Sequence, residues 1–314
     1  MKLKIAISTN WNVHHHKTGE SLVDEALELG FDALELGYNT TEEIAKGVRH
    51  CIHDGRIEVD SVHAYCPVPF NAPHGYPELH LLASTDEDDR AMAALLLKKT
   101  LAFAQTVNAK AIVLHAGRIY LNSWLGNLDS NTLSNQMERV DGNKNAPSYQ
   151  RFVKKAWKRR ASRAKKMIPL FCDQLERVLP TFDRAGVLLC LENLPSIEAY
   201  PDEEEIVDLM RRFEGSPLRY WHDMGHGQVR ENMGWISNHV ESARKLLPYV
   251  GGIHIHDCAP MAHDHLAPGE GGIDFTAFRF FAENEIIRVF EPSPKVPPES
   301  IKIALRYVRE AWKV

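Results

Sequence analysis

The chain has 314 residues, 44% of them hydrophobic and 25% charged, with a formal net charge of −5. This is ordinary globular composition, long enough for one α/β barrel of about 250 residues with insertions. A negative net charge does not favour bulk attraction to nucleic acid and leaves only a local basic patch open, and no run of 18 apolar residues offers a membrane span.

Cys51, Cys66, Cys172, Cys190 and Cys258 are odd in number and form no CxxC pair, so a reducing compartment is expected. The opening Met-Lys-Leu-Lys-Ile-Ala-Ile-Ser carries no secretory pattern, and a cytoplasmic location is expected.

Short apolar runs alternate with longer segments of helical period, the pattern of a parallel sheet wrapped by helices. A strand is expected over 3–8, then a helix over 21–29 closed by Gly30. A strand over 33–36 and a helix from about Thr41 follow. The third strand, 57–63, leads into a loop with Pro67, Pro69, Pro73 and Pro77, and Thr85-Asp86-Glu87-Asp88 opens the next helix. The fourth strand is 111–115. Residues 119–149, polar and carrying Trp124, are expected to be an insertion closing over the top face.

The segment 149–179 is amphipathic, with Trp157, Ala161, Ala164, Ile168, Phe171 and Leu175 on one face. Its other face, from Lys154 to Lys166, is basic and reads as solvated surface. Strands at 187–192, 218–223, 252–256 and 286–291 complete eight, with helices at 203–213, 235–247, near 275–282 and 300–312. The expectation is α/β: a single (β/α)8 TIM barrel over 1–314, with an insertion after strand four.

Six of these strands end at or beside an ionisable side chain: His63, His115, Glu192, Asp223, His254 with His256, and Glu291. Parallel strands in a barrel point their C-terminal ends one way, so these groups converge where barrel active sites lie. Clustered carboxylates repel one another unless a cation sits among them, and imidazole with carboxylate suits a divalent metal ion. Alternation turns His222 away if Asp223 faces inward. Trp11 and Trp221 are candidates for apolar surface beside a substrate ring, or for packing.

The motifs Asp32-Ala-Leu-Glu35-Leu, Leu191-Glu192-Asn193, Asp223-Met-Gly-His226, His254-Ile-His256-Asp257, the run His265-Leu-Ala-Pro-Gly-Glu-Gly-Gly-Ile-Asp274 and Glu291 occur in this order. In that order and spacing the chain resembles the xylose-isomerase-like TIM barrel superfamily, which holds sugar isomerases, epimerases and the endonuclease IV type. The resemblance implies Glu192, Asp223, His254 and Glu291 as metal ligands, with Glu192 and Glu291 also the acid/base pair of a proton transfer through an enediolate. It implies His226 as a catalytic binder of substrate oxygen. Glu35, His256 and Trp11 are assigned to the substrate-binding surroundings. The metal is Mn, Zn, Co, Fe or Mg, with one ion as the simplest reading and two or three open.

The endonuclease IV type adds His63, His115, His226 and His265 as ligands, with His263 where that group has Asp. This keeps open a multinuclear zinc phosphodiesterase acting on abasic DNA. The first expectation is a sugar isomerase or epimerase acting on a small polyhydroxy substrate, with no membrane partner and a homo-oligomer left open.

Overall fold

The computed structural model describes residues 3–122 and 126–313, so Trp124 lies outside the described residues. Eight strands form the barrel: β1 (Ala6–Ser8), β2 (Ala33–Leu36), β3 (Glu58–His63), β4 (Ala111–Leu114), β5 (Leu188–Glu192), β6 (Leu218–Asp223), β7 (Val250–Ile255) and β8 (Ile287–Phe290). They pair in parallel in chain order, and β8 closes on β1 through Ala6 opposite Val289. This is a TIM barrel, and β2 occupies the residues its sequence marks.

Helices α1 (Gly19–Leu29), α2 (Glu42–His53) and α3 (Glu87–Thr106) wrap the first half. Each starts where a side chain accepts an otherwise unpaired amide: Thr18 from Ser21, Thr41 from Ile44, Asp86 from Asp88 and Asp89. Gly30 ends α1 at φ 95°, a left-handed turn that glycine adopts without strain.

The insertion after β4 contains helix α4 (Ser130–Glu138) and leads into α5 (Pro147–Ala185). Gly117–Arg118 pairs antiparallel with Ala199–Tyr200, and the Glu198 carboxylate accepts from the amide of Leu121 at 3.1 Å. Two members of the basic stripe on α5 are not merely solvated. Arg159 donates to the carbonyls of Leu121 and Gly126, and Arg163 to those of Tyr120 and Asn122. Lys144 donates to the Glu231 carbonyl and Tyr149 to that of Met233, both at 2.8 Å. These contacts hold the insertion against the loop after β5 and the end of the helix after β6.

The second half adds α6 (Glu203–Arg212), α7 (Met224–Asn232), α8 (His239–Leu246), a 3-10 turn at Phe275–Phe281 and α9 (Pro298–Trp312). Helix α7, absent from the sequence reading, contains Gly225 and Gly227, which weaken helical propensity. Tertiary packing demands both. A Cβ at Gly225 would stand 2.0 Å from the His256 ring, and one at Gly227 would stand 2.2 Å from His239. Among the described residues, no helix is long and apolar enough to cross a membrane.

Candidate metal centre

Strand alternation brings Glu192, Asp223, His254 and Glu291 to one level at the C-terminal mouth, with one ligand atom from each lying within 4.8 Å of the others. All four are buried, His254 and Asp223 completely. His254 Nδ1 is 3.1 Å from Glu291 Oε2, 3.2 Å from Glu192 Oε1 and 3.5 Å from Asp223 Oδ2. Its other nitrogen, Nε2, is 3.1 Å from Glu35 Oε1, and Ser61 donates to Glu35 at 2.8 Å.

A neutral imidazole has one N–H. Glu35 accepts that hydrogen from Nε2, which leaves the Nδ1 lone pair aimed at three carboxylates. Only a positive charge stabilises that arrangement, either a metal ion or a proton. Burial opposes charge on His254, yet Glu291, Glu35 and Glu192 raise its pKa well above the ordinary histidine value. Burial likewise opposes charge on Glu192, while His254 and His115 hold its carboxyl well below the usual range. This donor set fits a divalent cation. A ligand histidine whose far N–H is held by a carboxylate is the usual second layer of such sites.

Three further histidines also have one nitrogen held, in their case Nδ1. His63 donates from Nδ1 to the Ala64 carbonyl at 3.1 Å, His226 to that of Asn193 at 2.9 Å, and His265 to that of Glu291 at 2.8 Å. Each therefore presents Nε2 to the cavity. His63 Nε2 and His115 Nε2 both lie 3.1 Å from Glu192 Oε2, forming a second candidate group. His226, His256 and His265 form a third.

Asp223 caps α7 by accepting from the His226 amide at 2.7 Å. Asn193 locks this corner. Its side-chain oxygen accepts from the Asp223 amide and the Tyr220 hydroxyl, and its amide donates to the Asp223 carbonyl. His222 faces outward, as alternation requires, against Tyr220 and His239.

Five other residues singled out from the sequence do not line the cavity. Trp11 is fully buried and donates to the Val296 carbonyl at 2.9 Å, away from the cavity; it is a packing residue. Trp221 is likewise enclosed, beneath His254, with ring centres 5.2 Å apart. Glu35 is completely buried and orients His254 instead of reaching substrate. His256 accepts from the His265 amide at Nδ1 and pairs with Asp223 through Nε2, so both nitrogens already have protein partners, and without a metal His256 supports Asp223. His263 is exposed; the neighbouring Asp264 faces inward, 3.9 Å from His226 Nε2.

Above the cluster lies a cavity of about 240 Å³, lined by Glu192, Glu291, His63, His115, His226 and His265 and by residues that strand-end reasoning missed. These are Tyr38, Tyr76, Pro77, Glu78, Arg118, Leu194, Pro195 and Asp264. They lie on loops and on the short strands Gly117–Arg118 and His263–Leu266, where periodicity gives no signal. No described residue of 119–149 lines this cavity; the β3 loop does. A larger groove of about 780 Å³ lies outside the barrel between α5, α6 and α8. Its Asp202 and Glu205 pair with Arg160 and its Glu203 with Arg230, which accounts for them structurally.

The xylose isomerase-like TIM barrel family matches residues 23–310, and the chain belongs to that family. Solved structures of similar fold include a D-tagatose 3-epimerase-like protein, with 17% identity over 99% of this chain and 97% of that one at a TM-score of 0.69. The 3-keto-D-glucoside 4-epimerase of E. coli has 15% identity over 98% of this chain and 100% of that one at 0.69. The D-psicose 3-epimerase of Clostridium cellulolyticum H10 has 16% identity over 98% and 99% at 0.66. A 98-residue stretch, 30% of this chain, is 31% identical to an uncharacterized protein of Methanocaldococcus jannaschii and covers only 34% of that relative.

Proposed function

We propose that this chain is a divalent-metal-dependent isomerase or epimerase of a small polyhydroxy carbonyl compound. The observation that carries the reading is His254, whose Nδ1 lone pair is aimed at three carboxylates while Glu35 holds its other face. Glu192, Asp223, His254 and Glu291 would hold the ion, which when bound polarises substrate oxygens. Glu192 and Glu291 both line the cavity and are the acid/base pair of this reading. One takes the proton from the carbon beside the carbonyl, and the other returns it at the neighbouring carbon or on the opposite face. Ser8 and Asn10 donate to Glu291 Oε1 at 3.5 and 3.3 Å and fix its orientation. His226, with Nε2 free, is placed to bind a substrate oxygen. Epimerases among the similar folds support the reaction class.

The test is deuterium exchange from solvent into a panel of free ketoses by the metal-loaded protein. Exchange should occur, and Glu192→Gln and Glu291→Gln should each lower it by about 10²–10⁴-fold, the usual worth of a positioned acid or base. Exchange at the wild-type rate in either variant would end the acid/base assignment.

A second reading is favoured by the two further ligand groups at His63–His115–Glu192 and His226–His265, with Asp264 beside the latter. It is a multinuclear zinc phosphodiesterase. Two or three zinc ions per chain by elemental analysis, with cleavage of abasic DNA, would select it; one ion and no cleavage would remove it.

A further inference from the structure

We propose that the Glu78–Arg118 ion pair reads hydroxyl groups at the end of the substrate remote from Glu192 and Glu291, so that the substrate is an uncharged polyhydroxy carbonyl compound and not its phosphate ester. This rests on the isomerase reading and names its substrate class.

Glu78 arrives on the β3 loop beside Tyr76 and Pro77, and Arg118 on the short strand after β4; both line the cavity. The pair is bidentate: Arg118 donates from Nε to Glu78 Oε2 at 2.8 Å and from Nη2 to Oε1 at 3.0 Å. The Glu78 side chain is only 10% exposed and that of Arg118 29%. Burial works against the Glu78 charge, but His115 and Arg118 outweigh it and hold the carboxyl at about 2. The bidentate contact keeps Glu78 and Arg118 together as an ion pair.

A bidentate pair uses one edge of each partner. The carboxylate keeps its outward lone pair at Oε2 as an acceptor, while Oε1 is approached by His115 Nδ1 at 3.6 Å. Arg118 keeps Nη1, whose one other contact is a long 3.5 Å approach to Ser196 Oγ. The exposed edge thus offers acceptor and donor side by side. Hydroxyl groups both donate and accept, and match it; a phosphate only accepts.

Among the described residues Arg118 is the only Lys or Arg lining the cavity, and Glu78 neutralises it. Asp264 adds another carboxylate at the mouth. A distal phosphate would meet these two carboxylates with no free cation opposite. The cavity volume of about 240 Å³ suits a compact ligand. Further basic groups lie beyond Arg118, where Lys166 and Arg163, the latter held by the Tyr120 and Asn122 carbonyls, border an adjoining cavity of about 240 Å³. An anionic tail would have to reach there.

Calorimetric titration of the metal-loaded full chain with free pentuloses and hexuloses, and with their terminal phosphate esters, tests this. At least one free ketose should bind, with its ester at least tenfold weaker. Glu78→Gln and Arg118→Gln should each weaken ketose binding about tenfold and raise KM more than they lower kcat, with metal content unchanged. The double variant, which restores neutrality, controls for misfolding of either single one; it should melt like wild type and still bind weakly.

Esters that bind as tightly as the free sugars, or variants with wild-type affinity, would overturn the proposal, as would binding of no free ketose. Ketose binding through Glu78 and Arg118 without proton exchange would instead overturn the isomerase reading alone.

Discussion

The barrel interior holds two layers one strand repeat apart, two residues or about 7 Å, and they are built differently. In the lower layer Ala6, Ala33, Val113, Cys190 and Val289 close around Trp221, a completely buried apolar ring. Two residues further along the same strands stand Ser8, Glu35, His115, Glu192 and Glu291, with Asp223 above Trp221 itself. On β7 the pair is Gly252 and His254. A Cβ at Gly252 would lie 2.2 Å from the Trp221 ring, so the glycine admits the indole on which His254 rests. The lower layer is fixed by volume and the upper one by charge. Disturbing the first should cost stability, and disturbing the second should cost metal and turnover.

Trp221→Ala is the harshest way to break that division. It should lower stability by about 3–5 kcal/mol, the usual cost of emptying such a site, measured by denaturant unfolding. If it costs little stability but abolishes metal binding, the layers are one unit. Glu35→Gln should leave the fold melting normally and weaken metal affinity about 10–100-fold, because it removes the acceptor that sets the His254 tautomer. Unchanged affinity would mean that packing alone orients the ring.

Glu78 lies on the cavity wall, outside both layers, and its effect should be smaller, with its pH dependence confined to acid. Its folded-state pKa of about 2 lies below the ordinary 4.5, so its contribution is complete above pH 4.5 and disappears as pH falls toward 2. The stability gap between wild type and Glu78→Gln should close across that window; a constant gap would deny the pairing. His263→Ala should change neither stability, beyond about 0.5 kcal/mol, nor metal content. Loss of metal there would return the exposed His263 to the ligand set.

The strands, their order and the convergence of Glu192, Asp223, His254 and Glu291 were legible because each strand leaves a period-two or apolar run with an ionisable end. Other features were not. Gly225 and Gly227 hid α7, since local propensity penalises glycine while the His256 and His239 rings require it. The exchange of His263 for Asp264 arises in the hairpin Asp257–Ala259 with His263–Leu266, where a register shift and a left-handed His265, φ 54°, reverse which side chain faces the cavity. The Asp257 carboxylate organises this loop by accepting from the amides of Cys258, Gly269, Gly271 and Ile273, a set no spacing rule reveals.

By itself, the sequence determined the eight-stranded alternation and which residues share the mouth of the barrel, because strand and helix periods are local and a closed parallel sheet has one polar end to offer. Only the tertiary structure decided what each group does there. The tautomers of His226, His254 and His265 depend on a carbonyl or carboxylate distant in the chain. The wall that faces the ligand depends on loops whose paths are set by contacts, as between Glu78 and Arg118, and not by periodicity.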